Sequence, residues 1–93
     1  MKYLFTILTS QQDNERLFKD PSALRKEIGL LVEQLKPEFV VASTIRRAAY
    51  ILVNIDDPHV KLRKVFESLS KMGTVNVDPV STIEEFSKFL EAS

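Results

Sequence analysis

The chain of 93 residues contains no cysteine and no tryptophan, a single histidine, two glycines and no net charge. Without cysteine there is no disulfide framework and no thiolate, and a metal site would have to combine His59 with carboxylates, so no metal is expected. Neither glycine, Gly29 nor Gly73, follows the first apolar segment. That removes the phosphate-cradling loop and the glycine-rich turn of amino-acid-sensing modules. The 13 basic residues are balanced by 13 acidic ones. A balanced chain exerts no long-range pull on a polyanion, and nucleic acid is not an expected partner. No apolar run approaches the ~18 residues that a bilayer span requires. The apolar start, Met1 to Thr9, lacks a small-residue cleavage site before the polar stretch that follows. A cytoplasmic protein with no membrane partner is the resulting expectation.

What remains is an ordinary globular composition, 44% hydrophobic and 28% charged. It predicts one domain over 1–93, of a size that folds alone with little surface to spare. Two-residue alternation of apolar side chains marks strands at Tyr3 to Leu8, Phe39 to Ile45, Arg47 to Ile55 and Thr74 to Val80. Between the first two, Ser10 to Lys19 reads as a loop with one helical turn. Asp20 and Pro21 then open a helix whose Leu24, Ile28, Leu31 and Leu35 share a face, and Pro37 stops it. Asp57 and Pro58 repeat the opening, with Asp57 as the cap, for a helix to about Met72 that Gly73 terminates. Ser81 with Glu84 forms a capping box for a short amphipathic helix carrying Ile83, Phe86, Phe89 and Leu90. Strand, helix, strand, strand, helix, strand is the split βαβ order of ferredoxin-like domains, here with an added C-terminal helix. The expected fold class is therefore α+β: a four-stranded antiparallel sheet with its helices on one face.

Period-two geometry then separates the two faces of that sheet. Ile51, Val53, Ile55, Val75 and Val77 belong to the face covered by helices. Tyr50, Leu52 and Asn54 with Thr74 and Asn76 fall on the other, which is too apolar for a plainly solvated surface. In the first strand either Tyr3, Phe5 and Ile7 or Leu4, Thr6 and Leu8 can face inward. The open face has two readings: it packs against an identical face in a dimer, or two such faces enclose a cavity for a small molecule.

The opening Lys2-Tyr3-Leu4-Phe5-Thr6-Ile7, the hairpin Val40 to Val53 with Asn54-Ile55-Asp56-Asp57 and Pro58 after it, and Val75-Asn76-Val77-Asp78-Pro79-Val80 together resemble the dimeric α+β barrel superfamily. They are most similar to its short uncharacterised domains. The likeness spans the whole chain and is one of pattern. It implies a homodimer joined through the sheet face. The wider superfamily includes isomerases, cofactor-independent monooxygenases, peroxidases and ligand-sensing domains, but none of their catalytic constellations transfers residue by residue onto this chain.

Candidate residues follow from that frame. Tyr50 and Asn54, on one face of the third strand, are the best polar couple for orienting a ligand, or else for bonding across a dimer. Asn76 or Thr6 would complete a lined cavity. Arg46 and Arg47 are expected to share a rim with Lys2, where the cations bind a phosphate or carboxylate or simply discourage edge pairing. His59, near Asp56 and Asp57, is either a proton carrier or a solvated side chain. The third strand lacks the glycine and paired aromatics of an RNA-binding sheet. No catalytic residue, cofactor or metal ligand is assigned. The expected function is that of a small-molecule-binding or interaction protein, with a cofactor-independent isomerase or monooxygenase and a purely structural dimer module as alternatives.

Overall fold

A strand with two apolar faces turns its bulkier set toward the helices, and the first strand settles the ambiguity in this way. In the computed structural model, which describes residues 1–43 and 45–92, β1 (Lys2–Leu8) buries Tyr3, Phe5 and Ile7, and Leu4, Thr6 and Leu8 lie on the other side. There follow α1 (Gln11–Phe18), α2 (Pro21–Leu35), β2 (Phe39–Ala42), β3 (Ala48–Asn54), α3 (Pro58–Ser70), β4 (Thr74–Val80) and α4 (Ile83–Ala92). The strands form one sheet in the order β2-β3-β1-β4, and each neighbouring pair is antiparallel. This open α+β arrangement is compatible with the ferredoxin-like expectation. No helix of the described residues is long and apolar enough to cross a membrane.

The core lies between the sheet and its helices. Tyr3, Phe5 and Ile7 of β1 meet Ile51, Val53 and Ile55 of β3 and its extension, with Val75 of β4 alongside. Val65 and Leu69 of α3, with Met72 just beyond it, close this layer from above, and Phe5, Ile55 and Leu69 are the largest side chains to be fully enclosed. α2 contributes less: Leu31 and Leu35 pack against the cluster but stay partly exposed, and no residue of α2 is buried.

Several local expectations need correction. Ser10 to Lys19 holds a complete helix, α1, because Ser10 and Asp13 cap it reciprocally: Ser10 Oγ accepts from Asp13 N at 3.1 Å, and Asp13 Oδ2 accepts from Ser10 N at 3.0 Å. A shorter aspartate here does the work of the usual glutamate. β2 ends at Ala42, short of Ile45, because Ser43 Oγ accepts the N–H groups of Ile45 (3.2 Å) and Arg46 (2.8 Å) and so draws them off the ladder. Thr44, in the expected second strand, lies outside the described residues.

The helix ends show similar shifts. Asp20 caps α2 as expected, accepting from Ala23 N at 3.2 Å. Asp57 occupies the corresponding place before α3, but its carboxylate makes no capping bond. At α4 the capping hydroxyl belongs to Thr82, which accepts from Glu85 N at 3.1 Å, one residue later than the expected Ser81–Glu84 pair. α2 closes on Lys36 in the left-handed region, φ 46°, whose N–H donates to Val32 O at 3.0 Å before Pro37 forbids continuation. Gly73 does not adopt the left-handed stop expected of it. It is needed for proximity, since a Cβ at this position would lie 2.5 Å from the carbonyl oxygen of Leu8.

Candidate functional site

Register arranges the open face in rows. At one level Thr6 stands between Tyr50 and Asn76, with Val41 beyond Tyr50. At the next, Leu4 stands between Leu52 and Asp78, with Phe39 beyond Leu52. Adjacent strands are ~4.8 Å apart, so the backbones of Tyr50 and Asn76 flank Thr6 at a mutual distance of about 10 Å. The face is therefore divided: β2 and β3 carry Phe39, Val41, Leu52 and Tyr50, whereas β4 carries Thr74, Asn76 and Asp78. Val41 is 51% exposed and Phe39 42%. Among the described residues the Tyr50, Thr6 and Asn76 side chains make no hydrogen bond, and no buried polar atom lacks a partner. Their polar groups face solvent with donor and acceptor capacity unspent.

Asn54 stands apart from this row. It shares the face of Tyr50 but lies at the far end of β3, opposite Lys2, with the Leu52 level in between. Its Oδ1 accepts from the Met1 amino group at 3.1 Å.

The expected cluster of three cations does not form. Antiparallel pairing of β1 with β3 sets Lys2 against Asn54 and Leu8 against Ala48, so the Arg46–Arg47 turn adjoins the end of β1. Thr9 N donates to Arg47 O there at 2.9 Å. Lys2 is at the opposite rim, paired with Glu38 at 3.1 Å. Arg46 and Arg47 remain together as a two-residue rim without an ion-pair partner among the described residues.

That rim opens onto the helix side of the sheet, away from Tyr50 and Asn76. Arg46 and Arg47 line a cavity of about 390 Å³ between α1, α2 and the β2–β3 turn, along with Thr9 and Asn14. An adjoining cavity of about 160 Å³ under α2 has only apolar walls, among them Leu31, Leu35, Val40 and Ile51. Ile7, Ile28, Ala42, Ala49 and Met72 belong to the walls of both. Sequence patterning gave no notice of this space, because it depends on Ala42 and Ala49 facing one another across two strands. A run of small residues on either side of a hairpin was the available signal.

His59 is exposed in the first turn of α3 and shares a shallow groove with Arg63, Phe66 and Asn76. Asp56 and Asp57 are also exposed. No group of three or more histidines and carboxylates suited to a metal occurs among the described residues. The Asp13 carboxyl is held below the usual aspartate range by the Ser10 N–H, then by the Ser10 hydroxyl, with a smaller contribution from the Arg16 guanidinium. It belongs to the cap of α1. Compared with known proteins, the chain matches no family model, and no curated protein matches it in sequence.

Proposed function

We propose that this chain is a ferredoxin-like domain that pairs with a second copy through the open face of its sheet, as a dimeric α+β barrel. The Tyr50–Thr6–Asn76 row then orients a small molecule, or the partner's polar groups, between the paired sheets. The observation that carries this reading is an excess of surface. The chain exposes 7200 Å², whereas a compact monomer of 10.6 kDa exposes about 5,500 Å². The surplus of about 1,700 Å² is roughly twice the ~800 Å² that each partner yields in a standard interface. The open face, where Val41 is 51% exposed, and α4, where Ile83, Phe86 and Leu90 are each more than half exposed, both contribute to it.

A second copy is the favoured occupant for an electrostatic reason. A two-fold axis presents a face to itself, so a face rich in one charge would repel its mate. This face carries Lys2, already neutralised by Glu38, and Asp78, and is otherwise uncharged. The central row has no carboxylate, imidazole or cation, which supports binding in preference to acid–base catalysis.

Sedimentation equilibrium on the wild-type chain and on Leu52→Asp tests the reading. The wild type is expected to sediment as a dimer at micromolar concentration and Leu52→Asp as a folded monomer with unchanged far-ultraviolet circular dichroism. A wild-type monomer at a hundred micromolar sinks the proposal. Tyr50→Phe then separates the two roles of the row: weaker ligand binding in an intact dimer marks a ligand contact, and dissociation marks a contact between protomers.

A further inference from the structure

We propose that the space beneath α2 is a binding site for a small carboxylate with a short apolar body. The acid group is held at the Arg46–Arg47 rim and the hydrocarbon lies over Ala42 and Ala49. This site is distinct from the open sheet face and on the opposite side of the sheet, so it stands or falls independently of dimerisation.

The void originates in one level of the β2–β3 pair. On the helix side Val40 is opposite Ile51, and the next level in the same direction has Ala42 opposite Ala49. Two branched side chains give way to two methyl groups, and the volume they would occupy is left open. α2 does not settle into it, being fixed at its start by the Asp20 cap and at its end by the Lys36 turn. Its apolar walls stay partly in water, with Ile28 42% and Val40 44% exposed, so a hydrocarbon that covers them is favoured.

Chemistry changes along the space in the way an amphiphile requires. The 160 Å³ limb offers nothing polar. The 390 Å³ limb ends at Arg46 and Arg47, with Asn14 and Thr9 on the same wall. Thr9 Oγ1 donates to Asn14 Oδ1 at 2.7 Å, which leaves the asparagine amide hydrogens directed elsewhere. Neither arginine is paired with a carboxylate of the described residues, and a guanidinium offers two parallel donors that match the two oxygens of one. The backbone of the rim is held before any ligand arrives: Ser43 Oγ accepts from Arg46 N at 2.8 Å, and Arg47 O accepts from Thr9 N at 2.9 Å. Binding then has only the two exposed arginine side chains to immobilise. The larger limb is at the low end of the ~300–1,000 Å³ of ligand pockets, which restricts the guest to a short acyl or aryl acid.

The test is a ¹H–¹⁵N nuclear magnetic resonance titration of the full chain with octanoate, and with octan-1-ol as the uncharged counterpart. Saturable shifts are expected at the amides of Ala42, Arg46, Arg47 and Ala49, with octan-1-ol binding about tenfold more weakly. The double variant Arg46→Ala/Arg47→Ala should lose about tenfold in octanoate affinity and nothing in octan-1-ol affinity. Ala49→Leu should abolish both by filling the void. If that variant loses its circular dichroism signal, Ala42→Leu fills the same space from the facing strand. The proposal is overturned if millimolar octanoate gives no saturable shifts, if the shifts centre on Tyr50 and Leu52, or if the double arginine variant binds octanoate as the wild type does.

Discussion

Beneath α3 the centre of the sheet is closed over: Val65 and Leu69 are buried against Phe5, Val53 and Ile55, and only toward β4 does a shallow groove remain, lined by Leu62, Phe66 and Val75. Beneath α2 the same sheet meets Leu31 and Leu35 only in part, Ile28 remains 42% exposed, and a lined void separates helix from strands. Both helices are amphipathic, open with Asp-Pro and span three turns or more. The difference comes from the strands, which present large side chains to α3 and a pair of alanines to part of α2. An apolar stripe thus secures a helix only as far as the opposing surface has volume to meet it.

The contrast can be broken most severely on its closed side. Leu69→Ala removes a fully enclosed side chain and should cost about 3–4 kcal/mol in denaturant unfolding. Gly73→Ala attacks the same half through the backbone, because the added Cβ would meet the Leu8 carbonyl; about 2 kcal/mol and a lowered thermal midpoint are expected. On the α2 side Leu31→Ala deletes a side chain that is only partly buried and should cost about 1–2 kcal/mol. A loss equal to that of Leu69→Ala would erase the distinction between the halves. Lys36→Gly sharpens it by removing left-handed strain at the end of α2, a gain of about 0.5 kcal/mol once the extra freedom of the unfolded chain is counted.

The smallest effect concerns pH. Asp13 is more acidic in the folded chain than in the unfolded one, so its contribution to the α1 cap is complete above the ordinary aspartate range and disappears as pH falls through its lowered value. Hydrogen exchange should show α1 amides losing protection on acidification through that interval. Asp13→Asn should be less protected at neutral pH and indifferent to the change.

Much of this was legible in the order of residues. Alternation in β3 and β4 was enough to assign Tyr50, Leu52 and Asn76 to the open side, because a strand's period leaves no other choice. The Asp20 start of α2 was equally plain, since a cap and a proline act over adjacent residues. What escaped depended on contacts distant along the chain. Sequence order alone suggests one rim for Lys2 and the two arginines, and only the antiparallel pairing of β1 with β3 reveals that a whole strand separates them. The opposition of Ala42 and Ala49 is likewise a property of register, invisible in either strand alone. α1 is hard to read for a local reason: with Leu17 and Phe18 as its only large apolar residues it has no clear stripe, and its cap uses an aspartate where a glutamate is usual.

The opening beneath α2 also makes the molecule uneven in how it breathes. Ile28, Val40 and Ala42 are exposed along it, so water already reaches the inner side of α2, whereas Phe5, Ile55 and Leu69 in the layer under α3 are fully enclosed. A local opening that frees α2 therefore uncovers less new apolar surface than one that frees α3, and the amides of α2 will exchange with solvent the faster of the two.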